Sequence, residues 1–187
     1  MRERSSTARK KPVPAVAVVV SGYNASVTER LLDGALRAYA DAGGRADDPK
    51  DPGVRVVRAP GAFELTALSL AAARRPRVRG VVALGCIIKG ETRHDEYLAH
   101  AVAQGLVGVT LKTGKPVTMG VLTVRDAGQA RARAGGRLGN KGAEAMSALL
   151  RTLDAADGLG RAVGAYPPAG DRPDKALARR SVRGGRR

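Results

Sequence analysis

The sequence predicts an α/β fold, a three-layer sandwich in which helices cover both faces of a four-stranded parallel sheet. Three observations carry this. Short runs rich in β-branched residues recur along the chain, and the clearest of them, around Val16–Ser21 and Gly80–Ile88, are nearly unbroken apolar stretches. A strand without a polar side is buried on both faces, which is the condition of a parallel sheet. Longer amphipathic segments separate the runs, so each strand returns to the sheet through a right-handed helical crossover.

Taken in order, Val16–Ser21 is a buried strand, Gly22–Asn24 a turn, and a helix follows from about Val27 to Ala42. Val54–Arg58 is the second strand, and Ala59-Pro60-Gly61 turns the chain into a helix from about Ala62 to Arg74, ended by Pro76. Gly80–Ile88 is the third strand and leads through Lys89-Gly90-Glu91-Thr92 into a helix from about Arg93 to Thr110. Pro116–Leu122 is the fourth strand, followed by helices near Asp126–Ala134 and Lys141–Ala156. Residues 15–157 form the domain. Residues 1–14 and 158–187, rich in Pro, Gly, Ala and Arg without an apolar period, read as basic flexible tails that cannot bury enough surface to offset ordering entropy.

A length of 187 residues with 43% hydrophobic content supports one core and not two. Cys86 is the single cysteine, which excludes an intramolecular disulfide and a thiolate zinc cluster and suits the cytoplasm. The early apolar run Ala15–Val20 is too short for a membrane span or a secretory signal, so a soluble protein is expected. The net charge of +16 points towards polyanions until its distribution is considered. Residues 1–14 carry +4 and residues 158–187 carry +6, leaving +6 for the middle. With four Tyr and one Phe, the stacking platforms of a single-strand nucleic-acid binder are scarce.

In a parallel sheet ligands bind beyond the carboxyl ends of the strands. That rule gathers Gly22–Asn24, Pro60–Glu64, Ile87–His94 and Thr123–Asp126 on one rim. The segment Gly85-Cys-Ile-Ile-Lys-Gly-Glu-Thr-Arg-His94 joins a strand end, a glycine and a helix start. Its free amides, the Thr92 hydroxyl and the positive end of the helix dipole form a cradle for phosphate, although Glu91 and Thr92 equally serve as helix caps. His94 falls in the first helical turn, where the dipole disfavours imidazolium, a setting for proton transfer; a plain surface histidine is the alternative. His100 lies six positions on, outside the spacing of a helical metal pair, and takes no role. In Pro60-Gly-Ala-Phe-Glu64, Gly61 permits close backbone approach to a polyol or anion, while Phe63 and Glu64 also fit core and capping positions. Tyr23-Asn24 offers an aromatic face and an amide suited to a pyrimidine edge, or an ordinary turn. Arg133–Lys141 is a basic, Gly-rich junction between helices.

Together, in this order and spacing, Tyr23-Asn24, Pro60–Glu64, Gly85–His94, Gly120-Val-Leu-Thr123 and Arg133-Ala-Gly-Gly-Arg-Leu-Gly-Asn-Lys-Gly142 resemble the lumazine synthase family over about residues 15–157. The resemblance implies a flavodoxin-like sheet and a transferase of riboflavin biosynthesis. Such an enzyme condenses 5-amino-6-(D-ribitylamino)uracil with 3,4-dihydroxy-2-butanone 4-phosphate to 6,7-dimethyl-8-ribityllumazine, without metal or redox cofactor. It further implies that Tyr23 stacks on the pyrimidine, that Asn24 and the backbone at Ile87 and Ile88 bind its polar edge, and that Ala62, Phe63 and Glu64 hold the ribityl chain. Phosphate would rest on Glu91 and Thr92 under the clamp of Arg133. His94 would move protons with Glu144 as a candidate relay partner, and Lys141 would lie nearby.

The family commonly carries Phe where this chain has Tyr23 and Met119. Met119 would form the second wall of the pyrimidine pocket with a more pliable side chain, which alters substrate affinity more than turnover. The resemblance also implies a homo-oligomer, a pentamer, decamer or sixty-subunit icosahedral capsid, with sites shared between adjacent subunits and riboflavin synthase as a candidate partner. Two other readings belong to different classes. One is a non-catalytic lumazine- or flavin-binding protein, which would have no need of Thr92 and Arg133 as a phosphate clamp. The other is an assembly whose basic tails bind polyanions such as nucleic acid; no membrane association is expected.

Overall fold

The structure, a computed structural model, describes residues 12–45 and 53–159. The expected tails lie almost wholly outside these residues. Four strands, β1 (Val16–Ser21), β2 (Val54–Ala59), β3 (Val81–Ile88) and β4 (Val117–Val124), form one sheet in the order β2-β1-β3-β4. Every pairing is parallel, β1 lying between β2 and β3, and β4 pairing with β3 along its whole length. The helices are α1 (Ala25–Asp41), α2 (Leu65–Ala73), α3 (His94–Thr113), α4 (Ala127–Arg133) and α5 (Lys141–Gly158). This is the three-layer, flavodoxin-like α/β arrangement.

The period-2 geometry of the strands divides the core in two. Val16, Val18 and Val20 of β1, with Val82, Leu84 and Cys86 of β3, pack on one face against Leu31 and Tyr39 of α1 and Met146, Leu149 and Leu153 of α5. Ala17, Val19, Val81, Ala83 and Ile87 point the other way, against Leu65 and Ala73 of α2 and Val102, Leu106 and Val109 of α3. Residues on both faces of β1 and β3 are fully buried, which is why these strands carry no polar alternation. Burying one such Val or Leu contributes about 1.5–3 kcal/mol.

Element ends shift by up to three residues from expectation, α3 running on to Thr113 and β4 to Val124, and two differences bear on the site. Ala62–Glu64 form a turn, and α2 begins only at Leu65, because Glu64 caps the helix by position without a side-chain bond. The basic junction also contains a small antiparallel hairpin, β5 (Ala134–Gly136) with β6 (Gly139–Asn140), whose strands are too short and glycine-rich to show a period. Gly135 and Gly139 sit at φ 90° and 75°, the left-handed region that a side chain resists. The local signals at the flanking helices are conventional: the Asp126 carboxylate accepts from Gln129 N at 2.8 Å, and Asn140 Oδ1 accepts from Gly142 N and Ala143 N at 2.9 and 3.1 Å.

Gly142 is required for packing. A Cβ there would collide with the Leu31 carbonyl of α1, a backbone group that cannot move aside independently. Gly142→Ala is therefore expected to destabilise the fold by about 1–3 kcal/mol, the usual cost of overpacking, read as a lowered urea midpoint with unchanged slope. A midpoint equal to the parent's would show that α1 and α5 separate freely.

Candidate active site

Because β1 is followed by β2 on one side and the chain then crosses to β3 on the other, the topological switch falls between the carboxyl ends of β1 and β3. A cleft of about 570 Å³ opens there. From β1 it takes Tyr23 and Asn24, from the turn before α2 it takes Ala62, Phe63 and Glu64, and from β3 and the start of α3 it takes Ile87, Ile88, Thr92 and His94. Nine expected residues thus meet in one cavity. Glu91 is exposed and adjoins the lining without forming part of it.

The local geometry explains how each is presented. Asn24 is the one described non-glycine residue at positive φ, 58°, a conformation Asn tolerates, and its Nδ2 donates to Cys86 O at 2.9 Å. That bond ties the first loop to β3 and leaves Oδ1 as the amide's acceptor for a ligand. Tyr23 and Phe63 are 71% and 64% exposed, two aromatic faces at the mouth with no core duty. Lys89 N donates to Val124 O at 2.8 Å, holding the exit of β3 against β4. At Gly90 an added Cβ would meet no atom within 4 Å, so the backbone lies open to a ligand. Thr92 Oγ1 accepts from His94 N at 3.4 Å at the head of α3, a twenty-residue helix. An anion here meets free amides and the positive end of the dipole. Arg93 turns away, pairing with Glu96 at 3.0 Å and lying 5.8 Å from the centroid of the Tyr97 ring.

The remaining expected residues stand elsewhere. Met119, Arg133, Lys141 and Glu144 line a second cleft of about 780 Å³, against β4 and α5. Met119 is 53% exposed. Arg133 Nη1 donates to Gln129 O at 3.2 Å, and Lys141 Nζ meets Glu144 Oε2 at 2.6 Å. Within one chain, therefore, Glu144 is paired with Lys141 in a cleft that does not contain His94. The β5–β6 hairpin folds the end of α4 towards the start of α5, which is how Arg133 and Lys141 come to share one surface.

Sequence reasoning passed over several lining groups. Asp95 and Leu98 border the first cleft, and Asp95 Oδ1 is buried without a hydrogen-bond partner. A carboxylate directly after His94 in the first helical turn was the available signal. Ser147 and Arg151 line the second cleft, as does Thr123, which was expected on the rim with the first. Cys86 also borders the first, and burial pushes its thiol up to about 11 from 9.0. The thiolate is therefore scarce at neutral pH, and iodoacetamide at pH 8 is expected to modify the folded protein about 100-fold more slowly than the unfolded chain. The same shift makes stability fall as pH rises from about 9 towards 11, since only the unfolded thiol ionises across that window. Equal alkylation rates in urea and in buffer would show Cys86 to be exposed. Among the described residues no group of three His, Cys, Asp or Glu could hold a metal ion, and no helix is long and apolar enough to cross a membrane.

Fold and site together define a doubly wound α/β protein whose switch-point cleft is bordered by two exposed aromatic rings and the amino-terminal end of α3. Its relatives are specific. The family model of 6,7-dimethyl-8-ribityllumazine synthase matches residues 14–157. A 6,7-dimethyl-8-ribityllumazine synthase of Thermus thermophilus is 44% identical over 146 residues, 78% of this chain and 90% of the relative. One from Nitratiruptor sp. is 41% identical over 77% of this chain and 90% of its own length, and 6,7-dimethyl-8-ribityllumazine synthase 1 of Caulobacter vibrioides is 43% identical over 75% and 88%. The chain belongs to the 6,7-dimethyl-8-ribityllumazine synthase family, enzymes of the transferase class that serve riboflavin biosynthesis.

Proposed function

We propose that this protein condenses 5-amino-6-(D-ribitylamino)uracil with 3,4-dihydroxy-2-butanone 4-phosphate in the cytoplasm, releasing 6,7-dimethyl-8-ribityllumazine, phosphate and water. The observation that carries the reading is the meeting of Tyr23, Asn24, Phe63, Glu64, Thr92 and His94 in one switch-point cleft. An aromatic mouth, an amide acceptor, a polyol-facing turn and an anion cradle answer the parts of these two substrates in turn.

The chemistry is a sequence of proton movements. The 5-amino group adds to the ketone and loses water to form an imine, phosphate leaves by elimination, and the ribityl-bearing nitrogen closes the ring with loss of a second water. Tyr23 stacks on the pyrimidine, Asn24 and the backbone at Ile87 and Ile88 bind its edge, and Ala62, Phe63 and Glu64 hold the ribityl chain. Glu91 and Thr92 hold phosphate through backbone amides and the Thr92 hydroxyl. His94, next to that cradle, carries protons to and from the reacting atoms. Asp95, with its unpartnered buried oxygen, adds an acceptor for a ligand hydroxyl or amine.

Arg133, Met119, Lys141 and Glu144 complete the site from a neighbouring subunit. What supports this is that the two clefts of one chain hold complementary halves of the expected residues. A pentamer, or an assembly of pentamers up to a sixty-subunit shell, is the arrangement we infer, with residues 15–157 as its catalytic unit and the ends accessory. The direct test is absorbance or fluorescence detection of lumazine formation from the two purified substrates. Tight binding of a lumazine or flavin with no product formation would replace the enzyme by a binding protein.

A further inference from the structure

The end of the sheet opposite the switch-point cleft holds the densest run of basic residues in the described chain. Between α2 and β3 the sequence reads Arg74-Arg75-Pro76-Arg77-Val78-Arg79, four guanidinium groups in six residues. Lys112, in the last turn of α3, and Lys115, just before β4, lie beside this loop: Lys115 Nζ donates to Arg75 O at 2.8 Å, and Val81 N donates to Pro116 O at 3.0 Å. Arg74, Arg75, Arg77 and Lys112 are exposed. No Asp or Glu occurs in residues 65–90 or 97–125, so neither stretch supplies a balancing charge. α5 contributes Asp154 and Asp157, and Asp157 is engaged with Arg79 Nη2 at 2.7 Å. Burial and the charge of Arg79 together hold the Lys115 ammonium below the usual lysine range, a sign that like charges are crowded here.

The described chain also begins and ends at this face. Arg79 N donates to Ala15 O at 2.8 Å, and Pro12–Pro14 share a cavity of about 380 Å³ with Arg79, Leu153 and Asp157 near the end of α5. The sequence beyond adds five Lys or Arg against one Glu in residues 1–11 and eight against two Asp in residues 160–187.

We propose that this cationic face, at the other end of the sheet from the switch-point cleft, docks the phosphate backbone of a duplex nucleic acid. Guanidinium forks match phosphate geometry, and the described exposed aromatics, Tyr23, Phe63 and Tyr97, all lie towards the opposite rim, so stacking on single-stranded bases is not served here. The loop exposes guanidinium groups and buries its one large apolar side chain, Val78, which favours phosphate contacts over insertion into a lipid surface. Binding of this kind is sequence-independent and weakens steeply with salt.

The test uses the full chain and a mixed-sequence DNA duplex of about 30 base pairs, titrated by fluorescence anisotropy over a salt series. Binding should weaken with a log–log slope of roughly −0.9 for each phosphate neutralised. The triple variant Arg74→Gln, Arg75→Gln, Arg77→Gln should flatten the slope by about 2–3 and lose about tenfold or more in affinity at low salt. Its thermal midpoint and any parental rate of lumazine formation should stay unchanged, since none of the three lines a cleft. Parental binding by this variant, with loss only on removing residues 1–11 and 160–187, would overturn the proposal by placing the contacts outside the folded face. So would failure of the parent to hold duplex while it binds vesicles of anionic phospholipid.

Discussion

His94→Ala is expected to lower kcat by roughly 10²- to 10⁴-fold while leaving the affinity for the ribityl pyrimidine close to the parent's. The residue opens α3 immediately after the Gly90–Thr92 loop and lines the same cleft as Tyr23, Asn24 and Phe63. Pyrimidine affinity, in the proposed site, rests instead on the aromatic mouth and the Asn24 amide. A group that acts on protons in the transition state appears in kcat and kcat/KM together, whereas one that merely holds the ground state appears in KM. Stopped-flow turnover at saturating substrates, with separate titration of the pyrimidine, reads the two apart. A variant that turns over at the parental rate would remove His94 from the chemistry.

Mixed assemblies should show a second large contrast. Arg133→Ala alone is expected to raise KM for the butanone phosphate well above any change for the pyrimidine, since only the former carries the anion that Arg133 is proposed to clamp, a contact worth about 1.5–3 kcal/mol. Rings of His94→Ala subunits are inactive for one reason and rings of Arg133→Ala subunits are impaired for another. If each site draws His94 from one subunit and Arg133 from the next, random co-assembly at equal amounts restores both wild-type residues to about one site in four. Activity near a quarter of the parent's is therefore expected, measured at a butanone phosphate concentration where Arg133→Ala rings are nearly silent. Mass spectrometry establishes that the rings are mixed. Mixed rings no more active than the unmixed variants would place the whole site within one chain, even though the two clefts of that chain hold its halves separately.

Much of the fold was legible because burial on both faces leaves a direct mark on composition. β1 and β3 sit at the centre of the sheet, and their unbroken apolar runs located them to within a residue. β2, at an edge and partly exposed, is recognisable with its Arg55 and Arg58 because its position between two turn signals is clear. The β5–β6 hairpin was not legible, since strands of three and two residues made of Ala, Gly and Asn carry no period. The late start of α2 was hidden for a related reason. Ala62–Glu64 have helical propensity, yet they are drawn into a turn that brings Ala62 and Phe63 to the cleft, and tertiary packing outweighs a few tenths of a kcal/mol of propensity.

By itself, the sequence determined the parallel sheet, the family, and that Tyr23, Asn24, Phe63, Glu64, Thr92 and His94 collect on one rim. Each depends on local pattern: apolar runs, turn residues, and motifs whose order along the chain is a property of the chain alone. Only the tertiary structure decided that the expected site residues divide into two clefts, that the local Lys141–Glu144 pair lies in a different cleft from His94, and that Lys115 meets the Arg74–Arg79 loop. These relations join residues tens of positions apart, and their distances are set by how helices pack across a twisted sheet. No local propensity encodes that separation, because the same side chains on the same helices would meet differently if α5 crossed α1 at another angle, and the close approach of Gly142 to Leu31 selects the one that occurs.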